Sequence, residues 1–270
     1  MHERGAAAAL DGGGAVGDVR VMAAVRSAEL GGTRDVQVYL PPSYRTAGCH
    51  YPVVYMHDGQ NLFDARTSFA GEWQVDETME RLAPAGIEAI IVGIPNAGGR
   101  RVDEYSPFRD ERHGGGLGDA YLRFIIDTLK PRVDRRFRTR RDRAHTGIIG
   151  SSMGGLISLY GFLRHPDVFG FAGAMSPSLW HAQRAIFGYV QEAAPWSGRC
   201  YVDVGTKEGR RTVADARVMA RLLRRKAVRS RGHLLFVQDR GARHHESAWA
   251  ARFEHAIRFL LPPRRGDLNW

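Results

Sequence analysis

The stretch "HTGIIGSSMGGLISLYG", residues 145–161, limits the fold more than any other part of this 270-residue chain. Its first half is a short apolar run with two isoleucines, as expected of a strand buried on both faces. Its second half opens a helical run, "GGLISLYGFLRH", with Leu156, Tyr160 and Leu163 on one face. Between them Gly150, Ser152 and Gly154 form G-x-S-x-G. A strand that turns directly into a helix brings two backbones close together, and small residues two positions either side of a central serine allow that approach. The spacing also chooses between adjacent serines, because Ser151 would have Ile149 and Met153 at the flanking places. Ser152 is therefore the candidate nucleophile. A glycine-rich turn packed for purely structural reasons is the competing reading.

The rest of the chain repeats the alternation of strand and helix. "VRVMAAVRS" and "RDVQVYLPP" read as two early antiparallel strands joined by the turn "ELGGT". "YPVVYMHDG", "EAIIVGIPN", "FGFAGAMSP", "CYVDVG" and "HLLFVQD" read as further strands. "EWQVDETMERLA", "VADARVMARLLRRKA" and "SAWAARFEHAIRFLL" have helical spacing, and "DAYLRFIIDTLKPRVDRRF" predicts a helix interrupted near Pro131. This order predicts an α/β fold with a mostly parallel central sheet and helices on both faces. Residues 1–18 are rich in Gly and Ala and read as a mobile tail; residues 19–270 read as a single domain. Residues 96–119 stay irregular for longer than a compact domain usually tolerates, and they follow a strand's C-terminal end, where open α/β sheets place ligands.

Composition excludes several classes. No run approaches the ~18 apolar residues of a membrane span. Two cysteines, Cys49 and Cys200, make neither a disulfide framework nor a metal-ligand spacing, so a reducing cytoplasm is the expected location. The formal charge is +10, carried almost wholly by arginine, since lysine occurs only at positions 130, 207 and 226. The arginines are scattered rather than lined along one face with aromatics, which argues against a nucleic-acid partner.

An attacking serine needs backbone donors for the oxyanion. One is the amide following the nucleophile, that of Met153; the other should come from the loop after an early strand, where "YMHDGQN" offers the amide of Gln60. His57 in the same loop reads as a structural or rim histidine. The acid should follow the next strands, and Glu208, in the turn after "CYVDVG", is preferred to Asp203 or Asp239. The base should follow the last strand, where "RHHES" places His244 and His245 side by side, whereas His181, His233 and His255 sit on or beside predicted elements.

Taken together, "YMHDGQNLFD", "RRVDEYSP", "GSSMGGLISLYGFLRHPDVFG", "SPSLW", "DVGTKEG" and "HHESAWAARF" resemble the Putative esterase family (enterochelin esterase and esterase D-like) of the α/β-hydrolase superfamily, over roughly residues 34–262. The resemblance implies an α/β-hydrolase fold, with Ser152 as nucleophile, Glu208 as acid, and Met153 and Gln60 as oxyanion donors. The family's histidine stands in a G-x-x-H-N-E-x-x-W frame; "GARHHESAW" fits if His244 is that residue and His245 replaces the asparagine. Trp180 then lies near the substrate pocket, and Arg100, Arg101 and Tyr105 rim it. Structural roles explain Trp180, Arg101 and Tyr105 about equally well.

The reading that follows is a serine carboxylic ester hydrolase working through a Ser–Glu–His triad and an acyl-enzyme, with no metal or organic cofactor. Its partner is a small-molecule or carbohydrate-linked ester, with no membrane and no nucleic acid. The arginine excess permits an anionic or catecholate ester without selecting one. Acyl transfer to an alcohol or sugar is the nearest alternative, and a non-catalytic binding protein on the same fold is the other.

Overall fold

The computed structural model describes residues 14–228 and 230–261. Eight strands form one sheet: β1 (Asp18–Arg26), β2 (Thr33–Leu40), β3 (Val53–His57), β4 (Ile90–Ile94), β5 (Thr146–Ser151), β6 (Phe171–Met175), β7 (Gly198–Gly205) and β8 (Gly232–Asp239). Their order is β1-β2-β4-β3-β5-β6-β7-β8. The β1–β2 and β2–β4 pairings are antiparallel and all others are parallel, so the expected mostly parallel sheet is present.

Alternation along the strands builds two cores. Val53, Tyr55, Ile90, Val92, Ile148, Ala172 and Val202 face one layer of side chains; Val54, Met56, Ile91, Ile149, Phe171 and Tyr201 face the other. A period of two on strands that are apolar throughout requires cover on both faces. The second layer is closed by α1 (Val75–Leu82) and α8 (Glu246–Leu260), through Met79, Leu82, Phe253 and Ile257. The first layer is closed by α3 (Gly118–Arg123), α4 (Lys130–Arg136), α5 (Met153–Arg164), α6 (His181–Glu192) and α7 (Arg210–Ala227).

Three local features differ from the sequence expectation. The helix predicted to break near Pro131 continues from α3 into α4 through one wide π-helical stretch, Phe124–Leu129. A proline removes an N–H and crowds the carbonyl four residues back, and the wider turn ahead of it relieves both. The α6 helix went unforeseen, and its first turn is left-handed at Ala182, Gln183 and Arg184. Residues 96–119 are not a bare loop: α2 (Arg101–Glu104) lies within them, anchored by the buried pair of Arg34 with Glu104 at 2.6 Å.

Of the tail expected over residues 1–18, residues 1–13 lie outside the described residues, and the Val16 amide donates to Asp76 Oδ2 at 2.6 Å. Among the described residues no helix is long and apolar enough to cross a membrane.

Candidate active site

Ser152 sits between β5 and α5 with φ 57° and ψ −119°, a region that L-residues rarely occupy. The surroundings hold it there: its amide donates to the Met175 carbonyl at 3.0 Å and its carbonyl accepts from the Ser178 amide at 2.9 Å. The flanking glycines are required by contact. A Cβ on Gly150 would lie 2.6 Å from the His57 ring and 2.7 Å from the Gly154 carbonyl carbon. On Gly154 it would lie 3.2 Å from His57 Cβ, so His57 is the floor against which this turn packs.

Burial lowers the His57 pKa to about 3, so its ring is neutral, and Nδ1 pairs with the Tyr121 hydroxyl at 2.8 Å. It is the structural histidine the sequence suggested, with a partner that sequence alone does not reveal.

His244 and Glu208 converge on Ser152 from separate loops. His244 Nε2 lies 3.0 Å from Ser152 Oγ, and its Nδ1 lies 2.8 Å from Glu208 Oε2. A carboxylate only accepts, so Nδ1 carries the ring proton and Nε2 is left to accept from the serine. Glu208 Oε1 accepts from the Ser176 hydroxyl at 2.6 Å and the Gly205 amide at 2.7 Å. Its side chain is 1% exposed. Burial pushes its pKa up, but the hydrogen bonds from His244, Ser176 and Gly205 prevail and hold the carboxyl below its usual range.

The two alternative acids are committed elsewhere. Asp203 is buried against Arg252, 2.8 Å from its Nε, and Asp239 meets Nη1 of the same arginine at 3.2 Å. Arg252 also donates to Ser176 Oγ at 3.0 Å, and so does Trp249 Nε1 at the same distance. Trp249 stands edge-on to His244, ring centroids 4.9 Å apart. The tryptophan five residues past the histidine thus fixes both the imidazole and, through Ser176, the carboxylate. Sequence reasoning missed Ser176, Ser178 and Arg252, because nothing local in "SPSLW" or "AARFE" says what those side chains reach.

His245 has a different task. It is the N-cap of α8: its Nδ1 accepts from the Ser247 amide at 3.2 Å. Asparagine is a favoured N-cap because its side-chain oxygen accepts such a bond. An imidazole nitrogen does the same here, which accounts for the departure from the H-N-E frame.

The site opens into a cleft of about 950 Å³ whose lining includes Gln60, Phe69, Trp73, Arg101, Ser152 and His244. Met153 opens α5, and Gln60 lies in a one-turn 3₁₀ helix, Gly59–Asn61, so neither amide has an acceptor within its own helix. Gly59 lets that turn press on β4, since a Cβ there would lie 2.5 Å from the Gly93 carbonyl carbon. The turn is braced from the side. Asp58, itself left-handed at φ 55°, is held by Arg101 at 2.7 and 2.8 Å and by Asn96 Nδ2 at 2.7 Å. The Asn96 amide donates to Gln60 Oε1 at 3.2 Å.

Three pocket expectations need correction. Tyr105 is fully buried and does not reach the cleft; its hydroxyl accepts from the Asp58 amide at 3.0 Å. Trp180 is 46% exposed but lines a separate hollow with His113, Pro177 and Thr212. Arg101 does line the cleft, with its charge spent on Asp58. Arg100 points elsewhere, toward the Leu30 carbonyl at 3.4 Å. The residue that does project at the cleft and was not singled out is Phe69, 93% exposed.

Comparison with known proteins places the chain in a family and a fold. The sequence profile of the family described as Putative esterase matches residues 27–260. The uncharacterized protein YbbA of Bacillus subtilis is 29% identical over 249 residues, covering 88% of this chain and 96% of that protein. The ferri-bacillibactin esterase BesA of the same organism is 31% identical over 157 residues, covering 51% of each, so the chain spans about half that enzyme's length. Among solved structures, an IroE-like serine hydrolase from Shewanella oneidensis superposes with a TM-score of 0.73 at 20% identity, over 90% of this chain and 80% of that one. That likeness shows the α/β-hydrolase fold.

Proposed function

Because the chain belongs to the Putative esterase family and is a carboxylic ester hydrolase, we propose that Ser152, His244 and Glu208 form its catalytic triad and that an acyl-enzyme forms on Ser152. The observation that carries this reading is the chain of two hydrogen bonds, 3.0 Å from Ser152 Oγ to His244 and 2.8 Å from His244 to Glu208, at the floor of a cleft.

His244 Nε2 takes the Ser152 proton as Oγ attacks the ester carbonyl. Glu208, kept anionic by its hydrogen bonds, stabilises the imidazolium that results. The carbonyl oxygen becomes an oxyanion, held by the amides of Met153 and Gln60. Collapse of the tetrahedral intermediate breaks the C–O bond, and His244 returns the proton to the departing alcohol. A water activated by the same imidazole then attacks the acyl-enzyme and releases the acid.

The substrate is a small-molecule ester. The Arg101 guanidinium brings no free charge to the cleft, and Phe69, Trp73 and Trp249 give its wall an aromatic character, which supports an apolar or aromatic acyl or alcohol group. A panel of p-nitrophenyl acyl esters, feruloyl esters, acetylated xylan and a siderophore trilactone tests this. Wild type is expected to hydrolyse esters with an aromatic or apolar group best. A preference for acetylated xylan would overturn the substrate reading, and unchanged rates in Ser152→Ala would overturn the triad.

A further inference from the structure

Beside the cleft, the start of α1 carries a group of carboxylates that ester hydrolysis does not use. Glu72, Asp76 and Glu77 bring carboxylate oxygens within 4.8 Å of one another. Asp76 is fully buried. Its Oδ2 accepts from the Val16 amide, but its Oδ1 is buried with no donor among the described residues, and the same holds for Glu72 Oε1 and Glu77 Oε2.

Acidic residues in a helix's first turn are ordinary, because they face the unpaired N–H groups there. That role does not explain oxygens that meet no donor. Nor does a cation of the protein neutralise them: among the described residues no salt bridge reaches any of the three, and the nearby Arg66 and Arg81 pair with Asp64 and Glu254. Three carboxylates this close, one of them buried and two half-buried, repel one another and leave buried lone pairs unsatisfied.

We propose that Glu72, Asp76 and Glu77 bind a divalent cation, and that calcium is the one that fits. The donors are all carboxylate oxygens, with no histidine or cysteine, which selects a hard cation. Oxygens within 4.8 Å of one another can share one cation, and calcium's flexible shell of six to eight oxygens accepts ligands from one short segment, whereas Mg²⁺ demands a near-ideal octahedron and keeps its waters. Water and backbone carbonyls complete its shell.

The ion's place in the fold gives it a positioning role. Trp73, between the ligand Glu72 and α1, lines the cleft and packs on Trp249 with ring centroids 5.9 Å apart. Gln74 turns left-handed at φ 53° to bring Asp76 and Glu77 back toward Glu72. A cation would tie this segment and, through Asp76 and Val16, the residues leading into β1 to the cleft wall. It would take no part in the chemistry at Ser152.

The test uses the full chain freed of metal by a chelator, titrated calorimetrically with calcium chloride and, separately, magnesium chloride at low ionic strength and neutral pH. One Ca²⁺ per chain is expected, with a Tm that rises with calcium concentration by mass action and a weaker response to Mg²⁺. Glu72→Gln and Asp76→Asn should each weaken calcium binding by about tenfold or more, since affinity in such sites follows the ligand charge count. Should Asp76→Asn fail to fold, Glu72→Gln, at the half-buried ligand, decides alone. Absence of binding heat and of any Tm change at millimolar calcium would overturn the proposal, as would undiminished binding in Glu72→Gln. Magnesium binding as tight as calcium would overturn the choice of ion.

Discussion

At the residue scale the doubled histidine is where sequence and structure complement each other. The frame H-x-E-x-x-W selected His244, and the structure supplies a reason for its two ends: an imidazole on Ser152, and a tryptophan that stands against that imidazole and bonds Ser176. His245, next to the first of them, caps a helix. His244→Ala should lower kcat by about 10⁴–10⁶, the range for losing a triad base. His245→Ala should leave kcat within a few-fold and cost about 1 kcal/mol of stability as a lost N-cap, and His245→Asn should restore it. Parallel rate and urea-midpoint measurements on the three variants check this, and a reversed ranking of the histidines would mean that the roles are exchanged. Glu208→Gln keeps the shape but offers Nδ1 a changed partner, and kcat should fall by about 10⁴ with KM little altered.

At the element scale the legible parts were those whose signal is local. Strands with unbroken apolar runs, the G-x-S-x-G turn and the amphipathic α7 and α8 could be read because periodicity and small-residue spacing are properties of short windows. The parts that could not be read depend on distant residues. Asp58 and Arg101 are 43 positions apart yet make two hydrogen bonds, and Ser176 and Arg252, 76 apart, share one. The same reason explains Tyr105, which the motif brought to attention but which works from beneath the loop rather than inside the cleft. The left-handed first turn of α6, at non-glycine residues, contradicts local preference and so gives no local sign. Two variants test how the elements hold the site. Arg101→Met removes the brace on the Gln60 turn and should lower kcat by roughly tenfold or more while KM changes little; a KM effect alone would assign Arg101 to substrate binding instead. Gly150→Ala forces β5 and α5 apart from each other and from His57, and thermal unfolding should show a loss of about 1–3 kcal/mol.

For the whole molecule, the two-sided sheet explains why buried polar groups gather beneath the site. His57 is neutral in the fold, with a pKa of about 3 against 6.5 in the unfolded chain. Between those values the unfolded state binds a proton that the native state does not, so stability falls as pH drops below about 6.5, by roughly 1.4 kcal/mol per unit from this group. Glu208 acts in the same sense but lower, since its depressed carboxyl stabilises the fold above the ordinary glutamate range and that gain is lost as acid protonates it. Urea midpoints for wild type and His57→Gln between pH 7 and 5 should show a shallower slope in the variant. The claim on which the rest depends is that Ser152 is an activated nucleophile, and a fluorophosphonate probe followed by peptide mass analysis measures it most directly. The folded wild-type chain should carry one adduct, on the peptide containing Ser152, with none in Ser152→Ala and much slower labelling in His244→Ala. An unlabelled wild type, or an adduct that persists in Ser152→Ala, would contradict the account.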